Sequence, residues 1–342
     1  MGEQPVKVTM ADVARAADVS RTTVSFVLND RQGAAIPEET RQKVRDAARR
    51  IGYRPNASAR ALASRRTGII GMVTEIVTGP FAAETVVGAQ YAAHEAGSTL
   101  FIVASTGDAD HDHRAFATML EHRVEGIIYA TGSHRAVRLP AEADEVPTVL
   151  VHCFEPDGVT RRARALPTIL PDEEQAGRLA TTVLLESGRT RVGLIELDPA
   201  IPASVGRRAG YETALESAGL PVDPVLIEIG GATADGGYRA ASTLLDLDAP
   251  PTALFCANDR MAMGAYDAIK ERGLRVGEDV VVVGIDNQEL IATGLRPDLS
   301  TVALPFAEMG QAAIATIGAL SQGKEVEAVQ VLPCPLVRRH SA

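Results

Sequence analysis

The 342-residue chain has few cysteines, no long apolar run and none of the short motifs that mark common enzyme classes. Its three cysteines, Cys153, Cys256 and Cys334, are odd in number and far apart, and no secretory signal precedes them, which favours a reducing cytoplasm and no disulfides. No apolar stretch reaches the length of a membrane span. The patterns GxxxxGK(S/T), GxSxG and HExxH are also missing. We therefore expect a cytoplasmic protein with no membrane partner, no cofactor and no catalytic residues.

One short segment has the residue types of a metal site. It contains Asp108, Asp110, His111, Asp112 and His113. The spacing is too tight for a single tetrahedral site, and the segment opens a helical pattern, where acidic side chains are favoured by the helix dipole. We therefore expect an acidic helix start and no bound metal.

Positive charge is concentrated at the beginning of the chain. Residues 1–66 contain 13 Lys and Arg but 7 Asp and Glu, a net charge of +6. The whole chain carries −10, so the remaining 276 residues carry −16. A basic segment on an acidic body directs only one end of a protein towards phosphate groups. This distribution favours nucleic-acid binding over the alternative, a small helical bundle with a polar surface.

Residues 8–29, VTMADVARAADVSRTTVSFVLN, contain two short helical patterns joined by a tight turn at Asp18 and Val19. Thr9 and Ser20 precede the two patterns and can cap them. The apolar residues recur at helical spacing and are Val13, Ala14, Ala17, Val24, Val27 and Leu28. A third pattern covers 38–51, after Pro37 and before Gly52. A short second helix with a polar outer face is typical of a helix-turn-helix, which places that helix in the DNA major groove.

The segments TMADVARAADVS, TTVSFVLN, ETRQKV and IGYRPNASARAL resemble the headpiece of the lactose-repressor/galactose-repressor (LacI/GalR) family of bacterial transcription regulators. The resemblance is specific over residues 8–62 and continues at lower density over nearly all of the chain. It implies a helix-turn-helix headpiece in 1–55, a hinge helix or linker in 56–66, and an effector-binding and dimerisation core in 67–342. It also implies a homodimer that binds double-stranded operator DNA in the bacterial cytoplasm, associated with the nucleoid.

By this resemblance, residues 20–29 form the recognition helix, with Arg21 and Thr22 at base-reading positions. Arginine can bind guanine with two hydrogen bonds, and a threonine methyl can contact thymine. Phe26 stands where the family most often has arginine, so it either contacts a thymine methyl or packs internally. The other implied DNA-binding residues are Thr9, Ser20, Thr23, Ser25, Asn29, Thr40, Tyr53 and Asn56.

The hinge segment follows Pro55, with Asn56 as a possible cap for a helix over 57–63. A helix of this length is marginal alone in water, so a flexible linker is the alternative when DNA is absent. The resemblance implies that Leu62 of each subunit wedges between base pairs in the minor groove, with Ala59 as its small neighbour. Two wedges that meet at one symmetric site require a dimer.

From Gly68 onward, short Val/Ile-rich runs alternate with Ala-rich helical runs, which is typical of doubly wound parallel sheets. Roughly 270 residues is long for one such sheet, so we expect two lobes. The resemblance is to a periplasmic-binding-protein-like core whose lobes are joined by three crossings of the chain. We expect one lobe at about 67–164 and 305–330, and the other at about 165–302 and 331–342. The crossings would lie near 164–166, 302–305 and 330–332.

The resemblance also implies an effector site between the lobes. Its residues would be Phe81, His152, Arg207, Asn258, Asp286 and Phe306. Arginine, carboxylate and amide groups beside aromatic rings suit a polyol ring. Three alternatives remain open: Asn258 can cap a helix, Arg207 can pair with a surface acid, and His152 can be a buried neutral histidine.

Two departures from the family pattern surround this implied site. His152 and Cys153 stand where many relatives have Asp-Arg, and Ala232 stands where many have an aromatic residue. With these two departures, the ligand can instead be held by Phe81, Phe154 and Phe306. We expect a repressor released by a carbohydrate-like inducer. The alternatives are a repressor that needs a non-sugar corepressor, and a solute-binding protein without a regulatory role, which would have a secretory signal and no basic head.

Overall fold

The computed structural model describes residues 8–28, 35–54, 66–75, 83–156 and 165–342. The chain divides into two compact units, residues 1–68 and residues 69–342. The described helices of the first unit are α1 (Met10–Ala17), α2 (Arg21–Leu28) and α3 (Glu38–Arg50). The headpiece is therefore all-helical, as the sequence predicts.

Small apolar side chains hold the three headpiece helices together. The buried set is Val13, Ala14, Ala17, Val24, Val27, Val44, Ala47 and Ala48. The Asp12 carboxylate accepts from the backbone N–H of Thr9 at 2.8 Å, and the Ser20 hydroxyl accepts from the backbone N–H of Thr23 at 3.0 Å. Asp18 has a φ of 51°, so the chain reverses between α1 and α2 in the left-handed region. These contacts confirm the helix-turn-helix prediction.

The second unit contains two six-stranded sheets. The first sheet has the order β11-β5-β4-β3-β1-β2. Its strands are β1 (Ile69–Thr74), β2 (Thr99–Ala104), β3 (Ile127–Ala136), β4 (Thr148–Phe154), β5 (Thr168–Pro171) and β11 (Val329–Leu332). The second sheet has the order β12-β10-β9-β8-β6-β7. Its strands are β6 (Val192–Glu196), β7 (Ile227–Ile229), β8 (Ala253–Cys256), β9 (Val281–Asp286), β10 (Ser300–Ala303) and β12 (Leu336–Val337).

Helices follow most strands, which gives the predicted two-lobed, doubly wound α/β core. They are α4 (Ala83–Glu95), α5 (Ala109–Glu121), α6 (Glu173–Glu186), α7 (Pro202–Ser217), α8 (Ala234–Leu245), α9 (Asp259–Glu271), α10 (Glu289–Ala292) and α11 (Phe306–Ser321). Asp108 caps α5 by accepting from the backbone N–H groups of Asp110 and His111. In the described part of the chain, no helix has the length and apolar character needed to cross a membrane.

Glycines allow three helix pairs to approach closely: α4 with α11, α6 with α7, and α8 with α9. In the first pair, a methyl group on Gly310 would overlap the Thr85 carbonyl oxygen, and one on Gly88 would overlap the Ala307 carbonyl oxygen. The other two pairs show the same reciprocal arrangement. Their glycines are Gly177, Gly210, Gly237 and Gly264.

The chain first passes between the lobes at 171–173, and the predicted position near 164–166 is wrong. Strand β5 pairs with β4 and β11, so residues up to Pro171 belong to the first lobe. The third passage follows β11, so 331 and 332 also belong to the first lobe, whereas the prediction placed them in the second. The sequence gives little sign of β5, because only three residues lie between Pro167 and Pro171 and they are too few for a period-two signal.

Hydrogen bonds join the three crossing segments to one another. The second crossing lies between β10 and α11, and the third lies between β11 and β12. The bonds run from the N–H of Asp172 to the Leu332 carbonyl, from the N–H of Cys334 to Gln175 Oε1, and from the N–H of Ala303 to the Pro335 carbonyl. The crossings therefore form one connected layer between the two sheets.

Candidate functional site

The start of α2 presents polar side chains away from the headpiece core. Arg21 and Thr22 are exposed, whereas Val24 and Val27 on the opposite face are buried. Helical periodicity produces this division, because positions three and four residues apart share a face. Arg21 and Thr22 thus lie on the exposed face of α2, and base reading by these two residues stays a prediction.

The remaining predicted DNA-binding residues have different environments. Thr9 is exposed at the start of α1, and Ser20 caps α2 while its hydroxyl lies 2.9 Å from that of Thr23. Four residues are half-buried: Thr23, Ser25, Phe26 and Thr40. Tyr53 packs against the headpiece core. Four predicted residues lie outside the described ranges: Asn29, Asn56, Ala59 and Leu62.

A cluster of nearly buried polar side chains lies at the junction of the two lobes. His134 and His152 come from β3 and β4 of the first lobe, whereas Glu173, Arg207 and Asp286 come from α6, α7 and the end of β9 in the second. Parallel sheets place the carboxyl ends of their strands at one edge, and ligands bind there in doubly wound folds. We name these five residues the junction cluster.

Arg207 is the centre of the junction cluster. Its Nε donates to Glu173 Oε2 at 2.7 Å, and its Nη1 donates to the Ala257 carbonyl. Its Nη2 lies 4.0 Å from Asp286 Oδ1. Burial alone lowers the pKa of Arg207, but the charges of Glu173 and Asp286 hold it above its ordinary value. Arg207 does pair with an acid, but the ion pair is buried: each side chain is 5% exposed.

Asn258 is fixed as a helix cap. Its Oδ1 accepts from the backbone N–H of Met261 at 2.8 Å, and its Nδ2 donates to the Ala232 carbonyl at 3.4 Å. Next to it, Asp259 accepts from the Thr301 hydroxyl at 2.7 Å. Burial raises the pKa of both Asp259 and Asp286. The helix-cap alternative for Asn258 is therefore the role that the structure displays.

Aromatic rings cover the first-lobe side of the junction cluster. The rings of His134 and His152 stack with centroids 6.0 Å apart. Phe154 meets His134 edge-on at 5.7 Å, and Phe306 meets His152 edge-on at 5.5 Å. Phe81, the other predicted cleft aromatic residue, lies outside the described ranges. One phenylalanine ring therefore packs against each imidazole.

His152 is a buried neutral histidine. Burial, together with the nearby charge of Arg207 and the ring of His134, lowers its pKa from 6.5 to about 3. Its backbone also has a φ of 59°, in the left-handed region that few residues with a Cβ adopt.

This pKa gives a stability prediction. Between pH 6.5 and 3 the unfolded chain binds a proton at His152 and the folded chain does not, so stability falls as the pH falls. His152→Asn should remove about 2 kcal/mol of the loss in unfolding free energy between pH 6.5 and 5. Urea unfolding at the two pH values measures this difference. Identical pH dependence in the two proteins would show that His152 is protonated in the folded state.

Comparison with known proteins gives this geometry a context. The model of the lacI family of bacterial regulatory proteins matches residues 9–56, and the model of a periplasmic binding protein-like domain matches residues 181–342. The HTH-type transcriptional regulator DegA of Bacillus subtilis is 34% identical over 341 residues, 98% of each chain. The ribose operon repressor of Escherichia coli is 34% identical over 310 residues, 90% of this chain and 91% of its own.

The chain belongs to the LacI family. Among solved structures, the lac repressor dimer bound to operator and the anti-inducer ONPF is 28% identical, covers 98% of both chains and has a TM-score of 0.72. The complex of the transcriptional regulator CelR with cellobiose is 30% identical, covers 98% of this chain and 100% of its own, and has a TM-score of 0.67. As a LacI-family protein it is a DNA-binding transcription regulator, and the predicted family, fold class and general function are confirmed.

Two members of the junction cluster escaped the sequence-based site prediction for this LacI-family chain. Glu173 looks like any acidic residue in the first turn of a helix, where the dipole favours it. His134 lies within an irregularity in the pairing of β3 with β4, so its direction does not follow from strand alternation. The pairing of each with a partner in the other lobe could be seen only in three dimensions.

Proposed function

We propose that the protein is a repressor whose affinity for operator DNA changes when a small carbohydrate-like molecule binds between the lobes of its core. The observation that carries this proposal is the junction cluster, which places polar groups of both lobes beside the chain crossings. The relatives support the ligand class, since they include a ribose operon repressor and a transcriptional regulator in complex with cellobiose.

A ligand at the junction cluster would contact both lobes at once. It would therefore bind one relative arrangement of the lobes more tightly than another, which is the requirement for any ligand-driven change of state. The coupling between the ligand site and the headpiece is reciprocal: DNA that favours one arrangement changes ligand affinity by the same factor. No catalytic step is part of this function.

We further propose that two chains bind one palindromic site in the bacterial cytoplasm. A symmetric dimer presents two recognition helices at half-sites related by a two-fold axis. The hinge segment with Leu62 would add a minor-groove wedge at the centre of the site. Selection of bound duplexes from a random pool tests this arrangement. A palindrome supports the dimer, whereas salt-sensitive binding without a motif would contradict sequence-specific recognition.

Base reading by α2 gives a further prediction. Arg21→Ala should cost about 1–3 kcal/mol of affinity for the selected site and relax the preference at one base pair of each half-site. Lys43→Ala is the matched control, because Lys43 is exposed on α3 and would contact backbone phosphate at most. That change should weaken binding to all sequences equally. Unaltered base preference in Arg21→Ala would exclude Arg21 from base reading.

The DNA duplex selected from the random pool also tests whether the core binds an effector that regulates the headpiece. Ribose, glucose and cellobiose are added to the protein–DNA complex, and operator affinity is measured by fluorescence anisotropy. A weaker complex identifies an inducer, and a tighter complex identifies a corepressor. A compound that binds the core without altering operator affinity would show that the core does not regulate the headpiece.

A further inference from the structure

Four polar atoms of the junction cluster are buried without a hydrogen bond among the described residues. Two are the ring nitrogens of His152, and the other two come from opposite lobes: Nδ1 of His134 and Oε1 of Glu173. The side chains of His134 and Glu173 are 12% and 5% exposed. Because a buried polar atom without a partner costs about 1–3 kcal/mol, such atoms are rare in folded proteins and call for an explanation.

Nδ1 of His134 and Oε1 of Glu173 face each other across the lobe junction at 4.0 Å. This separation is too long for a direct hydrogen bond. It suits one oxygen held between them, since two bonds of about 2.8 Å that meet at an angle of about 90° span about 4 Å. A single ligand group there would connect β3 of the first lobe to α6 of the second.

The charges around the space between His134 and Glu173 determine which kind of ligand group can bind there. Glu173 Oε1 belongs to a carboxylate, which only accepts hydrogen bonds. The pKa of His134 is lowered by burial, so its imidazole is neutral and offers one donor and one acceptor nitrogen. A hydroxyl can donate to the carboxylate and accept from an imidazole N–H at the same time.

An anionic group would be disfavoured at the same position. It would face the Glu173 carboxylate, with Asp286 also nearby. The positive charge of Arg207 is already engaged by these two acids and by the Ala257 carbonyl. The junction cluster itself contains no second cation for a phosphate or a carboxylate, and the positive charge of Arg260 acts on Asp286.

We propose that His134 and Glu173 form a hydroxyl-binding subsite that restricts the effector to uncharged polyhydroxy compounds and excludes phosphorylated or acidic ones. This inference rests on the proposed effector role of the cleft. The bridging hydroxyl joins the lobes, so it contributes to ligand selectivity and to lobe closure together.

Calorimetric titration of the full-length protein tests the subsite. The neutral probes are ribose, glucose and cellobiose, and the charged probes are ribose phosphate, glucose phosphate and glucuronate. Binding of at least one neutral probe, and weaker or no binding of the charged ones, is expected. Failure of every neutral probe, or tighter binding of a charged probe, overturns the inference.

Two variants and one control assign the effect to these residues. Glu173→Gln should weaken binding of the neutral probe about tenfold or more, the typical value of a hydrogen bond to a charged group. His134→Phe removes a bond from a neutral imidazole and should weaken binding about threefold or more. Glu174→Gln, an exposed neighbour on the same helix turn, should bind like the wild type. Wild-type affinity in His134→Phe and Glu173→Gln overturns the subsite.

Folding defects are separated from lost contacts by two measurements. His134→Phe leaves the ion pair of Glu173 with Arg207 in place, so its melting temperature should remain near that of the wild type. Glu173→Gln should also bind the charged probes better relative to the neutral one, which a damaged fold would not produce. The proposed regulatory function fails separately, if a probe binds as expected but operator affinity does not change.

Discussion

Replacing Arg207 by alanine is expected to lower the free energy of unfolding of the core by about 3–5 kcal/mol, the cost of leaving a buried charge without its partner. Arg207 is the cation that neutralises Glu173, with Asp286 also close to its guanidinium. Without it, two nearly buried acids remain without their cation. Urea unfolding of the wild type and of Arg207→Ala measures the loss.

The reason for this loss can be tested by removing the charges together. Arg207→Met combined with Glu173→Gln should recover much of the stability lost in Arg207→Ala, because neither buried charge of the pair is then left alone. Arg239→Ala is a matched surface control: Arg239 pairs with Asp235, and both side chains are largely exposed. That change should cost under about 1 kcal/mol. A loss in Arg207→Ala no larger than in this control would contradict the buried-pair explanation.

Gly310→Ala is expected to destabilise the core by about 1–3 kcal/mol, or more if the helices cannot separate, because a methyl group has no space where α11 meets α4. The group would overlap the Thr85 carbonyl oxygen and approach the backbone nitrogen of Ala89. Neither backbone atom can move aside as a side chain could. Thermal and urea unfolding measure the change.

The same helix provides the control for this prediction. Gly318 lies two turns further along α11, and a methyl group built there would meet no atom within 4 Å. Gly318→Ala should therefore stabilise the protein by about 0.5–1 kcal/mol, since alanine loses less backbone entropy than glycine in a helix. Equal effects of the two substitutions would show that helix propensity, and not the close approach of α4, governs both positions.

The headpiece could be predicted almost completely from its sequence. Its core residues recur at helical spacing, and Thr9, Ser20 and Gly52 mark helix ends. Local signals sufficed there because the helices are short and each is bounded by a cap or a turn. The chain crossings were harder, because they depend on which sheet a short strand joins, and β5 joins the first sheet through partners distant in the sequence.

The candidate site was predictable only in part. Arg207, Asp286, His152 and Phe306 could be proposed from family resemblance, and the structure brings all four to the lobe junction. The partners that complete the site, His134 and Glu173, could not be predicted from the sequence. A contact between side chains of different lobes leaves no periodic pattern in the sequence. The burial of the ion pair between Arg207 and Glu173 could not be predicted either, because the sequence does not give the solvent exposure of the two side chains.

The hydrogen bonds that join the three chain crossings restrict how the lobes can move. Three independent linkers would let the lobes twist, slide and tilt in many combinations. Linkers tied to one another cannot change their backbone angles independently, so we expect hinge rotation to dominate the relative motion of the lobes. A ligand group that bridges His134 and Glu173 would join the two lobes beside these crossings and would therefore act on that rotation directly.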